Sequence, residues 1–175
     1  MGDAMWQGQR NFQLNAQTVL RDLYRLLTMV LADGNLTDNF NGADDPLQRL
    51  RDQYLEDEFV HLLVGTAITN RIQEEHMREF REDIGDLAFA PLVHECGTLQ
   101  ANAENDDETA LTLREACNKI VHAVNIIAET NGDPGDHPMS NFVTLRGHLG
   151  DAAWQARLNV IEYVRASVMN FSDLQ

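Results

Sequence analysis

Apolar residues recur three and four positions apart in the first third of the chain. Leu20, Leu23, Leu27, Val30 and Leu31 fall on one stripe of a helix that starts after Asn15, a good cap, and ends at Asp33-Gly34. Residues 33–46, "DGNLTDNFNGADDP", are dense in Gly, Asn and Asp, so a loop is expected there, with Leu36 and Phe40 pinning it to the body. From Pro46 the helical spacing returns. A short helix over 47–54 merges into a long one over 56–81, with Val60, Leu63, Val64, Ala67, Ile68 and Ile72 facing inward. Beyond Arg71 this helix becomes charged, "QEEHMREFRED", and reads as a solvated face with Glu74–Arg78 pairing at i, i+4. Gly85 and Pro91 break it. Residues 87–99, "LAFAPLVHECGTL", form a buried short helix or an irregular segment, and "QANAENDDE" an acidic loop.

The clearest helical signal follows. Thr112 and Glu115 make a T-x-x-E capping box. Leu113, Cys117, Ile120, Val121, Val124, Ile127 and Ala128 form the apolar face, and Asn131-Gly132 is the expected end. "NGDPGDHP" is a loop. Over residues 141–158 the period changes to two: Val143 and Leu145 alternate with Phe142, Thr144 and Arg146. After Gly150-Asp151, Trp154, Ala156 and Leu158 alternate with Gln155 and Arg157. That pattern predicts a β-hairpin, followed by a last helix over 160–169. The fold class expected is mainly α: a helical bundle over residues 1–175 as a single domain, with a small C-terminal hairpin at about 141–158.

Composition narrows the function more by exclusion than by assignment. The 43% apolar content suits a folded domain. With 28 acidic and 13 basic residues the formal net charge is −15, which repels phosphate polymers at long range and disfavours non-specific nucleic-acid binding. Cys96 and Cys117 lie among apolar residues without a CxxC spacing and read as buried thiols in a reducing, cytoplasmic setting. The N-terminal residues lack the basic and apolar regions of a signal peptide, and Trp6 stands where myristoylation calls for Ser or Thr. The longest apolar run, "LLTMVLA", is too short for a membrane span, so no membrane partner is expected. No Gly-rich phosphate loop, serine elbow or HExxH is present, and no cofactor is expected.

The candidate site is a polar stripe on the capped helix. Arg114, Asn118 and His122 are four residues apart and share one flank, which Asn125 and Glu129 extend. A histidine can move a proton near neutral pH, and an arginine beside it can hold a phosphate or a developing negative charge. Those are the parts that cleavage at a ribose phosphate needs. The same stripe also serves as the ordinary polar shoulder of a core helix. Glu58-x-x-His61 is half of a di-iron pattern, but no second copy accompanies it, so no metal is expected. His137 and His148 sit in turn contexts, one of which could meet the His122 stripe in space. Trp154 reads as a core anchor, and Trp6 as a residue at a subunit contact.

Residues 117–123, "CNKIVHA", resemble the signature helix of the HEPN superfamily, small helical proteins of toxin–antitoxin, antiviral and RNA-processing systems. Asn118 and His122 match its Asn and His, whereas Cys117 occupies its Arg position and Arg114 lies one turn earlier. The resemblance implies a helical bundle that dimerises across a shared cleft and acts chiefly by binding in a defence, toxin–antitoxin or regulatory setting. An active member would be a metal-independent ribonuclease, with His122 as general acid or base, Arg114 stabilising charge and Asn118 orienting the group. "LREACNKIVHA" followed by Gly147, Gly150, Trp154, Ala156 and Leu158 is also similar to small bacterial proteins of unassigned function. The expectation from another class is an acidic interaction module, an inhibitor or accessory subunit that engages a basic partner or imitates nucleic acid. The partners expected are thus a second copy of the chain, a basic protein or RNA.

Overall fold

The computed structural model describes residues 15–42, 44–83, 94–103, 107–131 and 138–171. Its elements run α1 (Ala16–Thr37), α2 (Pro46–Asp83), β1 (Glu95–Gln100), β2 (Thr109–Thr112), α3 (Leu113–His122), β3 (Asn125–Thr130), β4 (Met139–Leu149), β5 (Ala152–Asn159) and α4 (Val160–Phe171). The strands form one antiparallel sheet in the order β2-β1-β5-β4-β3. The expectation of a mainly α, all-helical bundle with a small hairpin is therefore overturned. This is a mixed fold of four helices and one five-stranded antiparallel sheet among the described residues.

Three misread segments account for the difference, one of them the short β2 just before the capped helix. The capped helix stops at His122 instead of continuing to Asn131. Residues 125–130 then pair with β4, placing Asn125 opposite Arg146 and Ile127 opposite Thr144. The β-branched run Val124, Ile126 and Ile127 favours a strand, and β4 offers the backbone partners that make it one. Val124 and Ile127, expected in the core, are 69% and 44% exposed. The other misread segments are 95–100, which becomes β1, and 109–112, which becomes β2; β1 joins β5 to β2. Trp6, His137 and residues 84–93 lie outside the described residues.

Elsewhere local chemistry places the elements as the sequence suggests. The Asn15 side chain caps α1 by accepting from the Thr18 N–H at 3.3 Å, though α1 runs through Gly34 to Thr37. Asp45 accepts from the Leu47 N–H at 2.7 Å, with Pro46 at the first helical position of α2. Thr112 caps α3, accepting from the Glu115 N–H at 3.4 Å, and Asn159 caps α4, accepting from the N–H groups of Ile161 and Glu162. Leu36, expected to pin a loop, is on α1 and 37% exposed.

The core lies on one face of the sheet. Met139, Val143 and Leu145 of β4, Trp154, Ala156 and Leu158 of β5, and Cys96, Leu99 and Leu111 of β1 and β2 meet Leu23, Leu26, Ile120, Val160 and Val164 from α1, α3 and α4. Helix α2 packs on α1, α3 and α4 as an outer layer. The Trp154 ring lies across Gly147 of the neighbouring strand, where an added Cβ would come within 2.3 Å of Cζ2, and Lys119 Nζ sits 4.5 Å from the ring centre. Alternation in β4 and β5 leaves the opposite face of the sheet open to solvent.

A polar cluster is sealed between α2 and α4. The Tyr163 hydroxyl meets Thr66 Oγ1 at 3.1 Å, Asn70 Nδ2 donates to Ser167 Oγ at 2.9 Å, and Asn170 Nδ2 donates to Asn70 Oδ1 at 3.0 Å. Tyr163, Asn70, Thr66 and Ser167 are each at most 2% exposed. Burial of a hydroxyl costs stability unless it is bonded, so these bonds fix how the two helices meet. Tyr163→Phe is expected to remove the bond across the two helices, while Thr66 keeps its bond to the Leu62 carbonyl, and to lower the unfolding free energy by about 1–2 kcal/mol, measured by urea denaturation.

Candidate functional site

Helix α3 presents Arg114 and Asn118 to α2. Arg114 Nη1 donates to Glu74 Oε1 at 2.7 Å, and both residues line a cleft of about 110 Å³ with Arg71, Glu75, Arg78 and Asn118. His122 is exposed at the far end of the helix, outside the lining of that cleft, and its carbonyl backs onto Gly147. The stripe therefore spreads over two environments. Arg114 and Asn118 share a small cleft whose cations and carboxylates are mixed, while His122 faces solvent near the β4–β5 hairpin. Asn125 and Glu129, expected on the same flank, are on β3.

Cys117 lies beneath the stripe, 1% exposed, and Cys96 is fully covered. Burial pushes both thiols up to about 12, so they stay protonated and unreactive. The expectation of buried structural cysteines holds for both. Glu58 is engaged by Arg25 across the α1–α2 interface, and His61 is exposed. Among the described residues no three His, Cys, Asp or Glu side chains gather as a metal site would require, and no helix is long and apolar enough to cross a membrane.

Two further surfaces were not singled out by the sequence. The first is a groove of about 540 Å³ between α1 and the start of α2, with Met29, Leu36, Leu47, Leu50, Tyr54 and Leu55 in its walls. Leu47, Leu50 and Tyr54 are 42%, 56% and 56% exposed. The charges in the groove are neutralised locally, Arg25 by Glu58 and Arg51 by Asp33. Periodicity revealed that these helices have buried stripes, but not that the apolar residues beside the stripes converge.

The second surface is the open face of the sheet. Arg157 there holds Glu129 through two bonds, Nε to Oε1 at 2.9 Å and Nη2 to Oε2 at 2.8 Å. Its guanidinium lies 3.7 Å from the Phe142 ring centre, and Thr144 Oγ1 donates to Glu129 at 3.0 Å. The Arg157 hydrogen bonds hold the Glu129 carboxyl below its ordinary range, so the pair stays charged and internally balanced at neutral pH. One row further along, Asn125, Arg146, Gln155 and Gln100 lie side by side on four strands. Arg146 Nε donates to the Gln155 amide oxygen at 2.8 Å.

Comparison with protein-family models, curated proteins and solved structures gave no match.

Proposed function

We propose that the protein is a non-catalytic interaction module that holds a basic amphipathic helix of another protein in the α1–α2 groove, as an inhibitor or accessory subunit would. The observation that supports this most is the gathering of exposed Leu36, Leu47, Leu50 and Tyr54 around one apolar groove. Single exposed leucines are ordinary, but a concave cluster of them marks a surface that is covered when bound.

Charge selects the occupant. Asp38 and Asp57 are exposed beside the groove-forming segments, and the nearby Arg49 is already paired with Asp44. A partner helix with leucine-like anchors at i, i+3, i+4 and i+7 and lysines or arginines on its flanks fills the groove and meets that acidic rim. A second copy of the chain brings another −15 of like charge and is the less favoured occupant. The Arg114, Asn118 and His122 stripe takes no catalytic role in this reading, because its cation is engaged by Glu74 and its histidine stands apart.

The test uses fluorescence anisotropy with an 18-residue labelled peptide of alternating leucine and lysine at helical spacing. A scrambled peptide of the same composition is the control for bulk charge. The helical peptide is expected to bind, with affinity falling as salt rises. Leu50→Asp, an exposed change, is expected to weaken binding about tenfold with an unchanged melting temperature. Equal binding of the scrambled peptide, or indifference to Leu50→Asp, would sink the proposal. So would a concentration-dependent dimer in sedimentation that the same variant dissociates.

A further inference from the structure

We infer that the open sheet face carries a second, independent site, centred on Arg146, that takes a small phosphate monoester of about the size of a phosphorylated sugar. The site is a recess of about 240 Å³ where the start of β3 meets the β4–β5 hairpin. Arg146, His148, Asn125 and Gln155 supply its polar side chains, and Val124, Ala103 and Ala153 are among its apolar walls. No carboxylate is among the described residues that line it.

The electrostatic setting of Arg146 is unlike that of the other paired arginines. Arg25, Arg49, Arg51, Arg114, Arg157 and Arg165 each reach an Asp or Glu oxygen. The described partner of Arg146 is a neutral amide, so the guanidinium is oriented without being neutralised. Its Nε is used on Gln155, which leaves Nη1 and Nη2 without a hydrogen-bond partner among the described residues. Because the Gln155 oxygen accepts from Arg146, its –NH₂ is the end left to donate. Asn125 stands on the other side of Arg146 in the same cross-strand row. The recess thus offers a planar guanidinium flanked by amides, a donor-rich arrangement suited to an oxyanion with several acceptors.

Size and net charge restrict the ligand further. The recess is smaller than the roughly 300–1,000 Å³ of sites for drug-sized ligands. Its apolar walls, including the 69% exposed Val124, can cover a compact organic body beside the phosphate. A chain carrying −15 repels a phosphate polymer along its whole length, whereas a single dianion meets one local cationic recess. A free small molecule is therefore favoured over RNA.

Backbone amide NMR titration of the intact chain tests this with four probes: ribose 5-phosphate, inorganic phosphate, ribose, and an eight-nucleotide single-stranded RNA. Ribose 5-phosphate is expected to shift the resonances of Val124, Asn125, Arg146, His148 and Gln155 saturably, to bind more tightly than inorganic phosphate, and to leave ribose without effect. Arg146→Gln, at an exposed position, is expected to weaken the ester about tenfold with an unchanged melting temperature. Absence of a saturable shift, or an affinity indifferent to Arg146→Gln, overturns the site. Equal affinity for inorganic phosphate overturns the role of the apolar walls. Tighter binding of the RNA through the same amides overturns the small-molecule assignment. None of these outcomes bears on Leu50 or the peptide groove, so the two readings stand or fall separately.

Discussion

Asp33→Ala is expected to lower the unfolding free energy by about 3–5 kcal/mol, because it takes the two-pronged partner from a largely covered arginine and leaves it only the exposed Asp52, 3.3 Å from Nη1. The carboxylate is 1% exposed and receives Arg51 Nε on one oxygen and Arg51 Nη2 on the other, both at 2.7 Å. The Met139 N–H donates to the second oxygen at 2.8 Å. One side chain of α1 thereby ties α2 and the first residue of β4 to the same point. Arg51 also lines the apolar groove, so the pair sets the distance between the groove walls. Asp33→Ala with Arg51→Met is expected to recover a good part of the loss, since no buried charge is then left unpaired.

The pH dependence carries its own sign. Burial raises the Asp33 carboxyl, but the bonds from Arg51 and the Met139 N–H outweigh it, and the folded value lies below the ordinary one. A group depressed on folding contributes stability that is fully present above its unfolded value of about 3.9 and is lost as pH falls through the folded value. The gap between native protein and Asp33→Ala in urea denaturation is therefore expected to stay constant from about pH 7 to pH 5 and to narrow below about pH 4. A gap that widened on acidification would contradict the ion pair as the source of the effect.

Several features were legible in the sequence because they depend on neighbours within a few residues. The caps at Asn15 and Thr112, the proline start of α2, the period of two in β4 and β5 and the turn at Gly150-Asp151 are of this kind. Trp154 as a core anchor follows from the same alternation, and it is 3% exposed. The segments that failed depend on distant partners. "VNIIAET" carries apolar residues at spacings that fit either a helix face or a strand, and β4 decides the outcome. Cys96 and Leu99 in β1 give too short an apolar pattern to be recognised before β5 supplies the pairing. The candidate site was legible only as a list of residue types. Arg114 and Asn118 do share a cleft, but the shortening of α3 separates Asn125 and Glu129 from them and leaves His122 at a helix end. Arg146 reads as one outward residue of a hairpin until cross-strand register sets Asn125 and Gln155 on either side of it.

Gly97→Ala tests that register where it is least forgiving. Gly97 has φ of +149°, a region open to glycine and rarely to other residues, and it faces Leu158 where β1 joins β5. A Cβ there would lie 2.0 Å from the Arg157 carbonyl oxygen, 3.0 Å from its carbonyl carbon and 3.2 Å from Leu158 Cα. All three are backbone atoms of a central strand, so no rotamer change relieves the clash and β1 must separate from β5. Backbone strain and overpacking together are expected to cost about 3–5 kcal/mol in urea denaturation. Gly150→Ala is the control: its φ is also positive, at +61°, but nothing lies within 4 Å of the added carbon, and a loss of about 1 kcal/mol is expected. The neighbouring Cys96 reports where the damage falls. Its thiol is fully covered on β1, whereas that of Cys117 is held on α3. Under native conditions Gly97→Ala is expected to expose Cys96 to alkylation well before Cys117, read by peptide mass spectrometry. Equal labelling of the two would mean that the whole fold opens at once. A stability equal to that of the native protein would mean that β1 does not meet β5 in this register.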